Sequence, residues 1–270
     1  DLLPIDGYQN MPLVSLEEAV KPVFELLKDD QLGHKIQLAK RQCSNPENNL
    51  TQDESASIRL YTMEATATTN SLYYRLNDAL RAVDRQKLKP WFCYLKLFLT
   101  ALFKLPSVKG SVWRGVKLNL SNLYKKKRTW TWWGISSCTD SKDVLESPQF
   151  LGNHGTRTLC LIQCVNGKDI RAHSFFPNEN EILLLPATQF AVKRIEDQGD
   201  DLHFVELEEI VTSHPLLMSP TKGVPSSKEP SIEAKFVAEL LTTNKASENF
   251  LINMTVISNE DAELLGSSLK

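Results

Sequence analysis

Glu179 and Glu181 stand two residues apart in the stretch His173-Ser-Phe-Phe-Pro-Asn-Glu-Asn-Glu-Ile-Leu-Leu-Leu-Pro186, where a polar, aromatic-bearing loop becomes an apolar run. Side chains alternate across a strand, so residues i and i+2 point to one side. The spacing therefore predicts two carboxylates on one face at the mouth of a strand. Like charges so placed repel each other unless a cationic ligand or a reaction uses them. The alternative is a solvated pair at a strand end, and the residues upstream decide between the two.

Two upstream segments carry further chemistry. Val112-Trp-Arg-Gly-Val116 is a short β-prone run with one arginine at its centre. Trp130-Thr-Trp-Trp-Gly-Ile-Ser-Ser-Cys-Thr139 reads as an aromatic strand that runs into small hydroxyl residues. Arginine, then serine, then Glu-x-Glu, each on its own strand, resembles the arginine-serine-glutamate class of ADP-ribosyltransferases. The arginine-specific mono-ADP-ribosyltransferase family is the nearest likeness, over roughly Ser15 to Ile210. Its pattern is aromatic-Arg-Gly, then a Ser-Thr-Ser strand, then Pro-x-Glu-x-Glu-aliphatic-Leu-aliphatic-Pro. One departure lies in the middle element, where Ser137 is followed by Cys138-Thr139 instead of Thr-Ser.

The resemblance implies NAD as co-substrate, no metal, and a protein presenting arginine as acceptor. A planar guanidinium can clamp phosphate oxygens with paired, charge-assisted hydrogen bonds, and Arg114 is expected to hold the NAD pyrophosphate. By the family pattern, backbone groups at Gly115 hold the nicotinamide amide, and Ser137 orients the nicotinamide ribose and Glu181. Breaking the nicotinamide–ribose bond builds positive charge on the sugar, which a carboxylate against the ribose stabilises; that role falls to Glu181. Glu179 is expected to face the acceptor. Free arginine is a poor nucleophile, so a carboxylate must bind it and take up its proton. Phe175 and Phe176 are expected in the acceptor-recognition loop, either as a platform for the incoming guanidinium or as ordinary loop packing.

The elements that must position these residues divide into two halves. Ser15-Leu-Glu-Glu18 and Thr51-Gln-Asp-Glu54 are capping boxes that open helices. Leu72, Leu76, Leu80 and Val83 recur at helical spacing, with Asp78, Arg81 and Asp84 facing elsewhere. Trp91–Leu105 is nearly all apolar, too short to cross a bilayer and interrupted by Lys96 and Lys104, which predicts a buried helix. After Pro106 short strands follow: Thr158–Val165, Glu181–Leu185, Phe190–Ile195 and His203–Ile210, bounded by turns at Asn166-Gly167 and Gly199-Asp200. Helices first and sheet second is an α+β arrangement. The resemblance implies a helical N-terminal part packed on a two-sheet, mostly antiparallel, NAD-binding core. The expected organisation is a catalytic domain over 1–213 (1–106 mainly helical, 107–213 mainly β), a Pro-rich linker over 214–231 and a small C-terminal segment over 232–270. Within that last segment, helices are expected at Glu233–Leu241 and Glu260–Leu269, with a faint likeness to one leucine-rich repeat unit, which cannot bury its own face alone.

Composition removes other classes. A length of 270 residues at 41% hydrophobic content suits one sizeable domain plus an appendage. A formal net charge of −2 gives no pull towards nucleic acid or anionic membrane, and Lys125-Lys-Lys-Arg128 reads as a solvated turn. No membrane span or signal peptide is visible; the chain opens at Asp1 without an initiator methionine, so its natural start is expected upstream. The five histidines form no ligand cluster, and the five cysteines have no CxxC spacing; Cys160 and Cys164 read as small buried hydrophobes. An odd cysteine count fits a reducing compartment, whereas the sequons at Asn49, Asn119 and Asn253 fit a secreted one. No His-Tyr-aromatic strand start is present, which weighs against the His-Tyr-Glu transferase class. Three readings stand: arginine ADP-ribosyltransferase, NAD glycohydrolase on the same site, and a silent nucleotide- or protein-binding module, the last disfavoured because both carboxylates are kept.

Overall fold

Hydroxyl and carboxylate pairs start the helices where the sequence places them. In a computed structural model, which describes residues 2–27, 29, 31–126, 128–141, 151–152 and 154–220, helix α1 (Leu16–Val20) begins at Ser15, whose side chain accepts from the Glu18 amide. Helices α2 (Phe24–Leu27) and α3 (Leu32–Gln42) follow, then α4 (Gln52–Thr62). Thr51 and Glu54 form a complete capping box at its start. Glu54 does more than cap. It is buried, and Lys104 donates to both of its oxygens at 2.7 Å. Glu54→Ala removes the carboxylate half of the capping box and one half of this pair, and is expected to cost about 2 kcal/mol. A urea midpoint equal to the wild type's would refute that.

Helix α5 (Leu72–Arg81) buries Leu72, Leu76 and Leu80 as the spacing predicts. Val83 does not join them and is 84% exposed. The helix ends at Arg81, and Ala82 turns to extended backbone (φ −64°, ψ 137°), which swings Val83 off the buried face. Helix α6 (Phe92–Lys104) is the predicted buried helix, with Tyr94, Leu95, Leu97, Phe98, Leu99 and Leu102 all in the core. Its Lys96 donates to the carbonyls of Gln9 and Pro220. Residues 214–220, the described part of the expected linker, run back along the N-terminal segment, where Ile5 bridges Leu217. The remainder of that linker and the whole expected C-terminal segment lie outside the described residues.

The β half comprises β1 (Ser107–Val116), β2 (Thr129–Trp132), β3 (Ser136–Thr139), β4 (Arg157–Asp169), β5 (Glu181–Leu184), β6 (Thr188–Asp197) and β7 (Leu202–Ile210). Among the described residues these pair in the order β1-β3-β5-β4-β7-β6-β2, with a further β1–β4 pairing. The two sheets expected are thus joined by backbone hydrogen bonds. Strands β1, β3, β5 and β4 close on one another, while β7, β6 and β2 extend from β4. Pairing is antiparallel except between β4 and β7.

Two details differ from the sequence reading and a third agrees with it. Trp130–Thr139 is not one strand: β2 and β3 are separate, and the chain is diverted through Trp133–Ile135 to a different part of the sheet. Asn166-Gly167 is no turn, because β4 runs through it to Asp169, the Glu209 carboxylate receiving the amides of Val165 and Asn166. The Gly199-Asp200 turn is present, with positive φ at Gly199, Asp200 and Asp201.

Alternation along β4 sends Cys160, Ile162 and Cys164 into a core shared with Val112, Cys138, Ile182, Phe190 and Leu207, while Leu159 and Leu161 face the other way. Cys160 and Cys164 are therefore the buried small residues expected. Burial pushes the thiols of Cys138 and Cys160 up to about 12, so neither is a thiolate near neutral pH. A second core lies among the helices and takes in Ile135, Ile170 and Leu183 from the β half. The helical layer thereby rests on the strand ends that carry the acidic residues.

Candidate active site

Register brings the three motifs together. Thr139 of β3 pairs with Glu181 of β5, and Trp113 of β1 pairs with Thr139. Arg114, Ser137 and Glu181 therefore meet, although 67 positions separate the first from the last in the sequence. Arg114 Nη1 donates to the Ser137 carbonyl at 2.6 Å, and its guanidinium lies 5.9 Å from the Trp132 ring centroid. Ser137 is exposed beside it, and its hydroxyl hydrogen-bonds the Glu181 carboxyl. Burial raises the Glu181 carboxyl above its ordinary value; the Ser137 hydrogen bond opposes this, Glu179 adds to it, and Arg114 opposes it. One guanidinium, one exposed hydroxyl and one buried acid are therefore linked in a row through Ser137.

Glu179 reaches the same place by a different route from the one its spacing predicts. It closes a 3-10 turn, Pro177–Glu179, and is not in the strand, which begins at Glu181. Between them Asn180 is left-handed, with φ 49° and ψ 44°. Strand alternation therefore does not relate the two carboxylates. Glu179 is half-buried, and its carboxyl is raised first by burial and then by Glu64, an exposed acid in the loop after α4.

Phe175 and Phe176 pack edge to face, with ring centroids 5.0 Å apart. Phe175 is partly buried against the helical core, and its amide donates to the Thr62 hydroxyl. Phe176 is the exposed member. The loop that carries them is tied further back at His173, whose ring is buried between Ser55 (2.9 Å) and Asn48 (3.1 Å). Burial lowers the His173 pKa. Gly115 also has a packing reason: a Cβ there would sit 2.8 Å from Cβ of Leu151.

Behind the site lies a brace that the motif reading missed. Asn77 of α5 accepts the Ile135 amide at 2.7 Å and donates to the Tyr61 hydroxyl at 3.1 Å. Tyr61 is buried, and its hydroxyl is raised by burial and then by the charge of Glu181. Gly134 makes room, since a Cβ there would meet Asn77 Oδ1 at 2.7 Å. These contacts pin the chain at the point where β3 begins and so fix where Ser137 stands. The available signal was weak: an asparagine four residues after Tyr73 and three before Leu80, on the packed side of α5. Among the described residues no group of three or more His, Cys, Asp or Glu side chains could hold a metal ion. Nor, among them, is any helix long and apolar enough to cross a membrane.

Comparison with known proteins agrees with this architecture. Several solved structures share the fold at low identity. The type III effector XopAI of Xanthomonas axonopodis pv. citri is 18% identical, with 76% of this chain and 92% of that chain covered and a TM-score of 0.56. Vis, an ADP-ribosyltransferase of Vibrio splendidus, solved in complex with agmatine, is 22% identical over 76% of this chain and 90% of its own, with a TM-score of 0.51. The ADP-ribosyltransferase HopU1 of Pseudomonas syringae pv. Tomato DC3000 is 19% identical over 74% of this chain and 89% of its own, at a TM-score of 0.50. No curated protein matches the chain. The profile described as NAD:arginine ADP-ribosyltransferase matches residues 16–214, which is most of the chain. The protein accordingly belongs to the NAD:arginine ADP-ribosyltransferase family, enzymes that transfer ADP-ribose from NAD.

Proposed function

We propose that this enzyme transfers a single ADP-ribose from NAD to arginine side chains of a protein, with release of nicotinamide. The observation that carries this reading is a second, half-buried acid, Glu179, held on its own turn beside the Arg114–Ser137–Glu181 cluster. Cleavage of NAD alone needs one carboxylate against the ribose. A guanidinium acceptor needs another, to hold the cation and remove its proton at the moment of attack. That one structure sharing the fold was solved with agmatine supports an arginine-like acceptor.

Position supports the following division of roles. Arg114 pairs with the NAD phosphates through its remaining donors, its Nη1 being anchored on the Ser137 carbonyl. Ser137 donates to Glu181 and steadies it against the ribose. As the nicotinamide–ribose bond breaks, positive charge grows at the anomeric carbon and ionised Glu181 stabilises it. The acceptor guanidinium, beside Phe176 and Glu179, attacks that carbon with its nitrogen lone pair and passes a proton to Glu179.

Arg114→Lys keeps the charge but loses the planar fork. NAD binding by calorimetry should weaken by about tenfold while the melting temperature holds. Equal affinity for both proteins would remove Arg114 from the phosphate site. The function itself is tested by incubating the enzyme with labelled NAD and an arginine-rich acceptor. Label on arginine together with nicotinamide supports transfer. Nicotinamide and free ADP-ribose with no labelled acceptor would make the enzyme a glycohydrolase.

A further inference from the structure

The two carboxylates are set by a residue between them, and that residue is held by a side chain outside the motif. Asn180 reverses the backbone from the 3-10 turn of Glu179 into the strand of Glu181. A left-handed conformation is uncommon for a non-glycine residue, though asparagine tolerates it better than most. Its side chain is anchored: Arg171 Nη1 donates to Asn180 Oδ1 at 3.3 Å.

The same guanidinium gathers two strand ends. Arg171 Nε lies 3.0 and 2.9 Å from the two Asp169 oxygens, at the end of β4. Its Nη2 lies 3.3 Å from Asp140 Oδ2, immediately after β3. Asp169 pairs with Ile182, and the Ile170 amide donates to the Glu181 carbonyl, so this corner abuts the buried acid through backbone. One planar cation thus joins the exits of β3 and β4 to the pivot of the Glu-x-Glu segment. Its partners, Asp140 and Asp169, are 42% and 35% exposed, so the ion pairs themselves add little stability. What the cluster adds is direction.

We infer that Arg171 is a positioning residue that, through Asn180, fixes the direction of Glu179 relative to Glu181 and so sets how much of the cleaved ADP-ribose goes to the acceptor and how much to water. This rests on the reading of Glu179 as the acceptor carboxylate. Arg171 reaches the turn through a side-chain hydrogen bond to Asn180, whereas Glu181 is held by backbone bonds, its pairing with Thr139 of β3 and the Ile170 amide, which do not need the guanidinium to form. Loosening the pivot therefore misplaces Glu179 and spares Glu181.

The test compares wild type, Arg171→Ala, Arg171→Lys, Asn180→Ala and the Arg171→Ala/Asn180→Ala pair. Nicotinamide release without acceptor and label on an arginine-rich acceptor are followed in each. Arg171→Ala should lower transfer by roughly 10- to 100-fold, the cost of a misplaced reacting group, with nicotinamide release near the wild-type rate. Arg171→Lys should not restore transfer, because an ammonium cannot span Asp169 and Asn180 together. The double variant should transfer no worse than either single one. Rescue by lysine, additive losses, or equal decline of both activities would overturn the inference and leave Glu179's own role intact. Wild-type enzyme that releases nicotinamide but never labels arginine would overturn this inference and the proposed function together.

Discussion

Replacing Glu181 with glutamine should lower NAD turnover by on the order of 10²–10³, the cost of removing one preorganised charge from a developing cation. Transfer and hydrolysis should fall together, since both pass through the same bond cleavage. The loss should not come from unfolding. Burial raises the Glu181 carboxyl, so between its ordinary and raised pKa the folded protein holds more protons than the unfolded chain. Across that window stability falls as pH rises. An ionised, buried Glu181 at neutral pH is thus a stability cost that the Gln variant does not bear. Glu181→Gln should melt no lower than wild type at neutral pH while being nearly inactive. The acid limb of wild-type turnover should also lie above the ordinary glutamate range. A variant that releases nicotinamide at the wild-type rate would take Glu181 out of bond cleavage.

Glu179→Gln should behave differently. The side chain stands on a turn outside the strand, half-buried, with its carboxyl raised by burial and by the charge of Glu64. Under the proposed function it meets a cation arriving from solvent past Phe176. Removing its charge deprives the acceptor guanidinium of both a partner and a base, and general-base assistance is worth about 10²–10⁴ in rate. Arginine labelling should drop by that order while hydrolysis to free ADP-ribose continues. A solvated carboxylate with no role would leave both activities unchanged.

The motif triple was legible because each residue lies on or beside a strand of strongly apolar or aromatic neighbours. Helix starts were legible too, since a Thr51–Glu54 box announces itself locally, and so was α6 through its unbroken apolar run. The two-residue spacing of the acids, however, carried the wrong geometry. Strand alternation applies only inside a strand, and Pro177 with Asn180 places Glu179 on a turn instead. Val83 shows the same limit: periodicity continued by one residue past the point where the helix ended. The β2–β3 break and the Asn77 brace depend on contacts 58 positions apart in sequence, which no local pattern encodes. Arg171 escaped notice for the opposite reason. Its partners at 140, 169 and 180 are charged or polar surface residues, and such residues ordinarily read as solvated.

One measurement bears most directly on the division of labour between the two acids: the ratio of label on arginine to nicotinamide released, taken in parallel for wild type, Glu181→Gln and Glu179→Gln. The expected result is a wild-type enzyme that labels arginine, a Glu181 variant with little of either product, and a Glu179 variant that still releases nicotinamide while its ratio collapses. A Glu179 variant with the wild-type ratio, or one in which both products vanish together, would contradict the account.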